Sequence, residues 1–364
     1  MQRKMTLKHI LFIAGALALV VLIVLMASFL RNRLFRSSAI TQVPGIELSA
    51  DYDLYAYAGG GFVAVRGNEL LFLDANGKVK NSGEIPTGPD VIIAPAGKSV
   101  AVYTDEKLKV FYSGETEPYP KDLNIAMADV VCSTVQDYVA LLESDRNMIY
   151  LLNNIGTNFD KISFPDQTVA GMGWFPENEL LWVVSLDVNG STPSSVVRIY
   201  EPGKTQVALS EFNDEIIYHL VVDKANGSAQ MIGTQNITSM VISTGETKNV
   251  ALVYGYQYVG ASDSGSTILL APAAEIANGH ITSLRIVSGG KAVNVQLPAG
   301  CKVFCVGEKN IYAADSASIY TVGLDGVIKS TTTFDVLYDS VKPIGNSSMM
   351  FFSDGAATLV KLPD

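Results

Sequence analysis

Residues 10–30 form the most uniform hydrophobic segment of the chain, an uninterrupted apolar run of 21 residues in which only Gly15 and Ser28 are weakly polar. A helix of this length spans about 30 Å, the thickness of the hydrocarbon core of a bilayer. A cleavable signal peptide has a shorter apolar region followed by a small-residue cleavage site, whereas Arg31 follows this run directly. The pattern predicts a transmembrane signal-anchor helix at residues 10–30, preceded by a short tail at residues 1–9; a cleaved peptide or a buried soluble helix are the alternatives.

After a polar linker at residues 31–42, the pattern changes to short apolar runs that are rich in Val, Ile, Tyr, Phe and Thr. Gly, Pro, Asn and Asp separate these runs, which is typical of β-strands joined by tight turns. One unit recurs, in which an apolar strand such as residues 70–73 leads into a polar turn and a second strand. No helical periodicity stands out, so residues 43–364 are predicted to be all-β.

The recurring unit has a spacing near 40 residues. The last residues of its first strand are at positions 73, 112, 151, 200, 242, 287, 322 and 362. A period near 40 built only of strands is typical of propeller blades with four antiparallel strands each. The sequence therefore predicts a β-propeller of about eight blades, with seven blades or a pair of β-sandwiches as alternatives. The first strands of the blades are expected near Leu54, Val91, Ala126, Val169, Ile217, Tyr256, Cys301 and Ser340.

The last copy of the unit lacks an outer strand of its own, because residues 358–362 are followed by only two more residues. A free strand edge favours pairing with other chains, and natural sheets usually cover it. Residues 43–48, just before the first blade, are placed to supply the missing strand. We expect them to close the last blade.

Charge is distributed unevenly along the chain. The first 36 residues contain six of the 26 Lys and Arg residues and no acid, which leaves 20 basic and 36 acidic side chains in residues 37–364, a net charge of −16. Such a body repels polyanions, so nucleic acid is excluded as its partner. The apolar content of 48% excludes intrinsic disorder.

Three cysteines, Cys132, Cys301 and Cys305, are too few for a disulfide framework. Cys301 and Cys305 are four residues apart in a predicted strand, a separation of about 13 Å, whereas a disulfide requires Cα atoms within about 7 Å. We expect buried thiols.

Two predicted hairpins carry a family resemblance. Residues 95–102 (Pro-Ala-Gly-Lys-Ser-Val-Ala-Val) and 175–181 (Phe-Pro-Glu-Asn-Glu-Leu-Leu) look like the Pro-x-Gly-x-x-aliphatic hairpin of WD40-like propellers. With a single anchor in front, the chain resembles the membrane-anchored WD40-like β-propeller proteins of Gram-positive, clostridial-type bacteria. That resemblance implies a binding platform rather than a defined reaction.

No Gly-x-Ser-x-Gly elbow, zinc-protease motif, P-loop or dinucleotide fingerprint occurs in the sequence, so no catalytic residue, metal site or cofactor is expected. Polar residues at or beside the predicted inner strands are candidates for a channel site, although a solvated rim shows the same residue types. These candidates are Asp53, Asp90, Asp129, Glu215, His219, Asp263 and Asp339. Paired carboxylates among them could hydrolyse a glycoside, hold a cation or bind a sugar.

The orientation of the anchor follows from the architecture rather than from flanking charges. Each flank of residues 10–30 contains three Lys or Arg residues, so the positive-inside rule gives no decisive bias. A short tail before a large acidic body favours a single-pass protein of the cell membrane with its body on the extracytoplasmic side.

The expected function is that of a non-catalytic binding or scaffold module for a protein or a cell-envelope polymer, because loops from separate blades converge on one rigid face. One alternative is an envelope glycoside hydrolase or lyase that uses the channel carboxylates. The other is a sensor or assembly subunit of a membrane complex, with the small residues of the anchor helix as its contact face.

Overall fold

The computed structural model describes residues 39–57, 61–85, 91–96, 99–104, 106–112, 119–123, 125–133, 138–153, 157–175, 179–187, 192–204 and 206–363. Within these ranges no helix combines the length and the hydrophobicity that a membrane crossing requires. The predicted anchor at residues 10–30 and the tail at residues 1–9 lie outside the described residues. Thr41–Leu362 belong to one compact unit.

Blades 1 to 4 are sheets of four antiparallel strands each. Blade 1 consists of β2 (Asp53–Tyr57), β3 (Gly61–Arg66), β4 (Glu69–Asp74) and β5 (Val79–Glu84). Blade 2 consists of β6 (Ile92–Ala96), β7 (Ser99–Thr104), β8 (Lys107–Tyr112) and β9 (Tyr119–Asp122). Blade 3 consists of β10 (Met127–Cys132), β11 (Val139–Glu143), β12 (Met148–Leu152) and β13 (Asn158–Ser163). Blade 4 consists of β14 (Thr168–Trp174), β15 (Leu181–Asp187), β16 (Ser194–Tyr200) and β17 (Gln206–Phe212).

Blades 5 to 8 repeat this plan, with one short helix inserted in blade 6. Blade 5 consists of β18 (Ile217–Asp223), β19 (Ser228–Gly233), β20 (Asn236–Val241) and β21 (Thr247–Leu252). Blade 6 consists of β22 (Tyr256–Ala261), β23 (Thr267–Pro272), α1 (Ala273–Asn278), β24 (Ile281–Ser288) and β25 (Lys291–Cys301). Blade 7 consists of β26 (Val303–Val306), β27 (Asn310–Ala314), β28 (Ser318–Gly323) and β29 (Ile328–Thr333). Blade 8 consists of β30 (Ser340–Ile344), β31 (Ser348–Ser353), β32 (Ala356–Lys361) and β1 (Thr41–Ile46).

The first strand of each blade is its inner strand. Inner strands of neighbouring blades contact one another around the ring, and β30 contacts β2, which closes it. Between blades 5 and 6 the contact is made by side chains of β18 and β22. The prediction of an all-β propeller with eight four-stranded blades is confirmed.

The ring has two faces that differ in which loops form them. We define the upper face as the one where the inner strands begin, and the lower face as the one where they end. Because successive strands of a blade are antiparallel, the loops between second and third strands and the connections between blades lie at the upper face. The remaining hairpin loops lie at the lower face.

Blade 8 joins the two ends of the described chain. Strand β1 pairs antiparallel with β32, with Thr41 opposite Lys361 and Ile46 opposite Ala357, and a bulge interrupts the register between Val43 and Ile46. The predicted closing segment at residues 43–48 overlaps this strand, which begins two residues earlier. Since β32 ends at the lower face, the antiparallel β1 begins there, so the chain enters the ring at that face.

The core lies between neighbouring blades, which explains the apolar runs in the sequence. In β3, Phe62 and Ala64 pack with residues of blade 8, whereas Val63 and Val65 pack with residues of blade 2. Successive residues of a strand point to opposite faces of the sheet. Because each blade has a neighbouring blade on both faces, the side chains on both faces of such a strand are buried. Each large side chain buried in this way stabilises the fold by about 1.5–3 kcal/mol.

The prediction that Cys301 and Cys305 share a strand is wrong. The inner strand of blade 7 was expected to begin near Cys301, but Cys301 ends β25, and β26 begins at Val303. The reason is a register shift in the pairing of β24 with β25, which lets the outer strand continue until Cys301 pairs with Ile281. Cys301 and Cys305 consequently lie on strands of different blades.

Candidate functional site

The channel candidates from the sequence are not gathered at one place. Those at the upper face are Asp53, Glu215 and Asp339, which begin or precede inner strands. Those within inner strands are Asp129 and His219. Asp263 follows β22 at the lower face, and Asp90 lies outside the described residues.

Glu215 holds a loop of its own blade. Its side chain is buried, and Oε1 accepts the backbone N–H groups of Gln235 at 3.1 Å and Asn236 at 2.7 Å. These groups belong to the turn between β19 and β20. A buried carboxylate that accepts two N–H groups is a structural acceptor, so Glu215 is engaged in turn formation.

Asp53 and Asp339 also contact neighbouring groups at the upper face. Asp53 is exposed and lies 3.7 Å from the Lys342 ammonium nitrogen. Asp339 accepts a hydrogen bond of 3.4 Å from the backbone N–H of Asp354. An exposed ion pair and a long hydrogen bond of this kind are typical of a solvated rim.

Asp129 and Asp263 have different surroundings. Burial raises the pKa of Asp129, whose Oδ1 accepts the N–H of Val130 at 2.8 Å. Asp263 accepts a hydrogen bond of 2.7 Å from the side-chain amide of Asn346. Among the described residues, no group of three or more His, Cys, Asp or Glu side chains is arranged to hold a metal ion.

The strongest candidate site is a cavity of about 580 Å³ at the upper face, between the inner strands of blades 5 and 6. We call it the tyrosine pocket. Its lining residues are Tyr218, His219, Thr234, Gly255, Tyr256, Gln257, Tyr258 and Ala273. Three tyrosine rings and an imidazole dominate this lining, and the volume is in the usual range of about 300–1,000 Å³ for small-ligand sites.

Local chain geometry places the aromatic residues. Tyr218 and His219 are the second and third residues of β18, and Tyr256 begins β22. Gly255 has φ +81°, and an added Cβ there would meet no heavy atom within 4 Å. The backbone conformation rather than space therefore requires glycine at the turn that delivers Tyr256 to the pocket.

Contacts between the two blades hold the rings in place. The His219 ring stacks on Tyr258 with centroids 4.0 Å apart and planes at 27°. The backbone N–H of Tyr258 donates a hydrogen bond of 3.3 Å to the Tyr218 hydroxyl. The Arg285 guanidinium lies 5.3 Å from the centre of the Tyr256 ring. The aromatic surface is thus ordered before any ligand arrives.

His219, Tyr218 and Tyr258 carry no charge near pH 7. Desolvation lowers the pKa of His219, raises the pKa of Tyr218 and raises the pKa of Tyr258 to about 12. The imidazole is therefore uncharged and the phenols keep their protons. Together they offer hydroxyl donors and acceptors beside flat apolar faces.

The rim of the pocket exposes large hydrophobic groups. Leu252, the last residue of β21, is 69% exposed, and Tyr254, in the connection from β21 to β22, is 83% exposed. Protein surfaces routinely expose single apolar residues, but a group of exposed apolar residues beside a cavity marks an interaction surface. Tyr254 directly precedes the lining residue Gly255 in the chain.

Two other cavities have different chemistry. One of about 590 Å³ at the lower face is lined by small and aliphatic residues, by a single aromatic ring and by Asp263, which Asn346 already engages. One of about 560 Å³ between blades 5 and 6 is polar and includes Asn226 and Lys248. Neither presents a cluster of aromatic rings.

Of the pocket residues, only His219 was singled out from the sequence. Tyr218, Tyr256 and Tyr258 are neither carboxylates nor parts of a catalytic motif, so sequence reasoning missed them. A usable signal exists in Tyr-Gly-Tyr-Gln-Tyr at residues 254–258, because alternate residues of a strand share one face.

Comparison with solved structures shows the propeller fold. The chain is similar to BamB from Moraxella catarrhalis, with 13% identity, a TM-score of 0.56 and coverage of 89% of this chain and 100% of that one. It is similar to the WD40 domain of SCAP from fission yeast, with 10% identity, a TM-score of 0.54 and coverage of 89% and 94%. It is also similar to the dihydro-heme d1 dehydrogenase NirN, with 10% identity, a TM-score of 0.55 and coverage of 86% and 72%.

No family model and no curated protein matches the sequence. At 10–13% identity the structural neighbours establish a WD40-like propeller fold and not an activity. The neighbours include a dehydrogenase, so the fold does not distinguish an enzyme from a binding module. The narrower resemblance to membrane-anchored propellers of clostridial-type bacteria stays a prediction.

Proposed function

We propose that this protein is a membrane-anchored β-propeller that binds a protein or cell-envelope ligand through the tyrosine pocket, without catalysis of its own. The observation that carries the proposal is the preordered cluster of three tyrosines and a stacked, uncharged histidine at the upper face of the ring. A rigid aromatic surface binds ligands at a low cost in conformational entropy.

The surroundings of the channel acids favour binding over glycoside hydrolysis. Hydrolysis by two carboxylates requires them to flank one bond, about 5–9.5 Å apart. Here Glu215 accepts backbone N–H groups, Asp263 accepts the Asn346 amide at the opposite face, and Asp53 lies beside Lys342. The groups in the pocket itself, neutral phenols and an imidazole, suit recognition.

The anchored, extracytoplasmic location is part of the same proposal and derives from the sequence. The apolar run at residues 10–30 supports an anchor, and the acidic body supports an outer location. Strand β1 begins at the lower face, whereas the tyrosine pocket opens at the upper face. The pocket is therefore on the side of the ring opposite to the point where the chain enters.

The location is tested by removing residues 10–30 and by adding protease to intact cells that express the full chain. We expect the deletion to move the protein from the membrane fraction to the soluble fraction, and the protease to digest the body. Full protection of the body in intact cells, with digestion after lysis, would place it on the cytoplasmic side.

Binding is tested with the full chain in detergent, immobilised and exposed to solubilised envelope material. We expect retention of a component by the wild-type chain and its loss in Tyr254→Ser, which removes an 83%-exposed ring from the rim. Val327→Ser is the control, since Val327 is exposed at the lower face. Release of reducing sugar ends that Asp129→Asn abolishes would support the hydrolase alternative instead.

A further inference from the structure

We propose that the ligand of the tyrosine pocket is an uncharged sugar chain, bound with its rings against the tyrosine side chains. This inference rests on the proposed binding function and names the chemical class of the ligand. It follows from four properties of the pocket. These are a lining without charged side chains, a mixture of flat and hydrogen-bonding groups, the shape of the cavity and the order of its rings.

The lining disfavours charged ligands. None of the eight lining residues is Asp, Glu, Lys or Arg, so an anionic ligand would lose hydration without gaining a counter-charge from the lining. A cationic ligand would meet the Arg285 guanidinium, which lies 5.3 Å from the centre of the Tyr256 ring. The net charge of −16 over residues 37–364 additionally repels anionic polymers at a distance. A neutral ligand avoids both costs.

The lining groups match the two surfaces of a sugar ring. A pyranose presents C–H groups on its faces and hydroxyl groups at its edge. Tyr218 and Tyr256 supply flat apolar surfaces at the mouth of the pocket, while Thr234 and Gln257 supply hydroxyl and amide groups. An amide donates and accepts hydrogen bonds at once, as each sugar hydroxyl also does.

The pocket is open on one side, which suits a polymer chain better than a small molecule that is enclosed on all sides. The cavity of about 580 Å³ opens at the upper face. Tyr254, which directly precedes the lining residue Gly255 in the chain, is 83% exposed. A polymer that occupies the pocket with one part can lay further units along the rim. Such repeated contacts raise the affinity of individually weak sites.

Ordering of the site before binding makes weak contacts useful. The Tyr258 ring stacks on His219, and the Tyr218 hydroxyl accepts a hydrogen bond from the backbone N–H of Tyr258. The rings therefore lose little rotamer freedom when a ligand binds. Immobilising a mobile side chain on binding would cost about 0.5–1.5 kcal/mol.

The experiment titrates the full chain in detergent with chitotetraose and with maltotetraose, using calorimetry and saturation-transfer NMR. We expect saturable binding of at least one of these neutral probes, weakened about tenfold or more by Tyr256→Ala and by Tyr218→Ala. A tenfold loss corresponds to about 1.4 kcal/mol. Leu337→Ala is the matched control, because Leu337 is 70% exposed at the same face but does not line the pocket, and it should bind like the wild type.

Polygalacturonate and a proline-rich peptide complete the titration series. Binding of either one in a manner sensitive to Tyr256→Ala, without binding of a neutral sugar, would overturn the sugar assignment. Equal sugar binding by the wild type and both tyrosine variants would also overturn it. Thermal unfolding of each variant establishes that a lost signal reflects the site and not the fold.

Retention of envelope material is measured in parallel on the same variants. If retention depends on Tyr256 while no neutral sugar binds, the sugar inference fails and the proposed binding function stands. If neither retention nor sugar binding depends on Tyr256 or Tyr218, both fail together.

Discussion

The Asn346 side chain donates a hydrogen bond of 2.7 Å to Asp263, although the two residues belong to blades 8 and 6. The same amide nitrogen donates to the Ala261 carbonyl at 2.8 Å, and its oxygen accepts the N–H of Val306 in blade 7 at 3.0 Å. One side chain at the lower face therefore links the inner strands of three consecutive blades. Asp263 is a member of this link rather than a free channel carboxylate.

Loss of the Asn346 amide should destabilise the ring. Asn346→Ala removes three hydrogen bonds and leaves the buried Val306 N–H without its acceptor, a change that costs about 1–3 kcal/mol. Urea unfolding of the variant should show a lower midpoint. Asn294→Ala is the control, because Asn294 is exposed on the outer strand β25, and a similar loss there would contradict the linking role.

Closure of blade 8 should depend on Ile46. This side chain is 7% exposed in a cluster with residues of blades 8 and 1, and it lies directly against Gly77. Truncation of a buried isoleucine costs about 2–5 kcal/mol, so Ile46→Ala should lower the melting temperature clearly. Gln42→Ala changes an exposed residue of the same strand, and an equally large effect of that change would argue against the buried cluster as the cause.

Acid should weaken the fold through His219. Burial lowers the pKa of His219 below its ordinary value of 6.5, so between the folded and unfolded pKa values the unfolded chain binds more protons than the folded one. The free energy of unfolding then decreases as the pH falls below about 6.5, and this contribution is absent above it. His219→Phe keeps a ring against Tyr258 and removes the titration.

The measurement is urea unfolding of wild type and His219→Phe at a series of pH values from about 7.5 to about 5. As the pH falls, the free energy of unfolding of the wild type should decrease more than that of His219→Phe. A pH-independent difference would show that His219 is not desolvated. The uncharged state of His219 near pH 7 depends on the same property.

The thiols of Cys301 and Cys305 should be inert in the folded protein. Burial raises the pKa of both to about 12, so at pH 8 about one in ten thousand of each would be thiolate, the reactive form. All three cysteines are buried, and none of them forms a disulfide. Reaction with a thiol-specific chromogenic reagent should be slow in buffer and should reach three thiols per chain in denaturant. Fast modification of the native protein would contradict the buried position.

Much of the fold was predictable because blade strands are local features. The observed inner strands begin at Ile217, Tyr256 and Ser340, the positions expected from the spacing. Alternation and turn residues mark a strand within a few residues of itself, and repetition of the unit averages out local exceptions. Cys301 was misplaced because the register shift in blade 6 depends on pairing with Ile281, a partner that local patterning does not show.

The site was much less predictable. Tyr218 and Tyr258 are 40 residues apart and meet only because their blades are neighbours in the ring. The acids singled out from the sequence were chosen by residue type near strand ends, which does not reveal that Glu215 would accept the N–H groups of a turn or that Asp263 would meet Asn346. Hydrogen-bond partners across blades are set by three-dimensional packing.

The amino-acid sequence by itself determined the all-β class, the blade period near 40 residues and the apolar run at residues 10–30, because each depends on the order of hydrophobic and polar residues over short distances. Only the tertiary structure decided that the ring closes with eight blades through β1, and which side chains share the pocket. Closure depends on the angle between every pair of neighbouring sheets. That angle results from side-chain packing summed around the whole ring, and no single segment of the chain contains it.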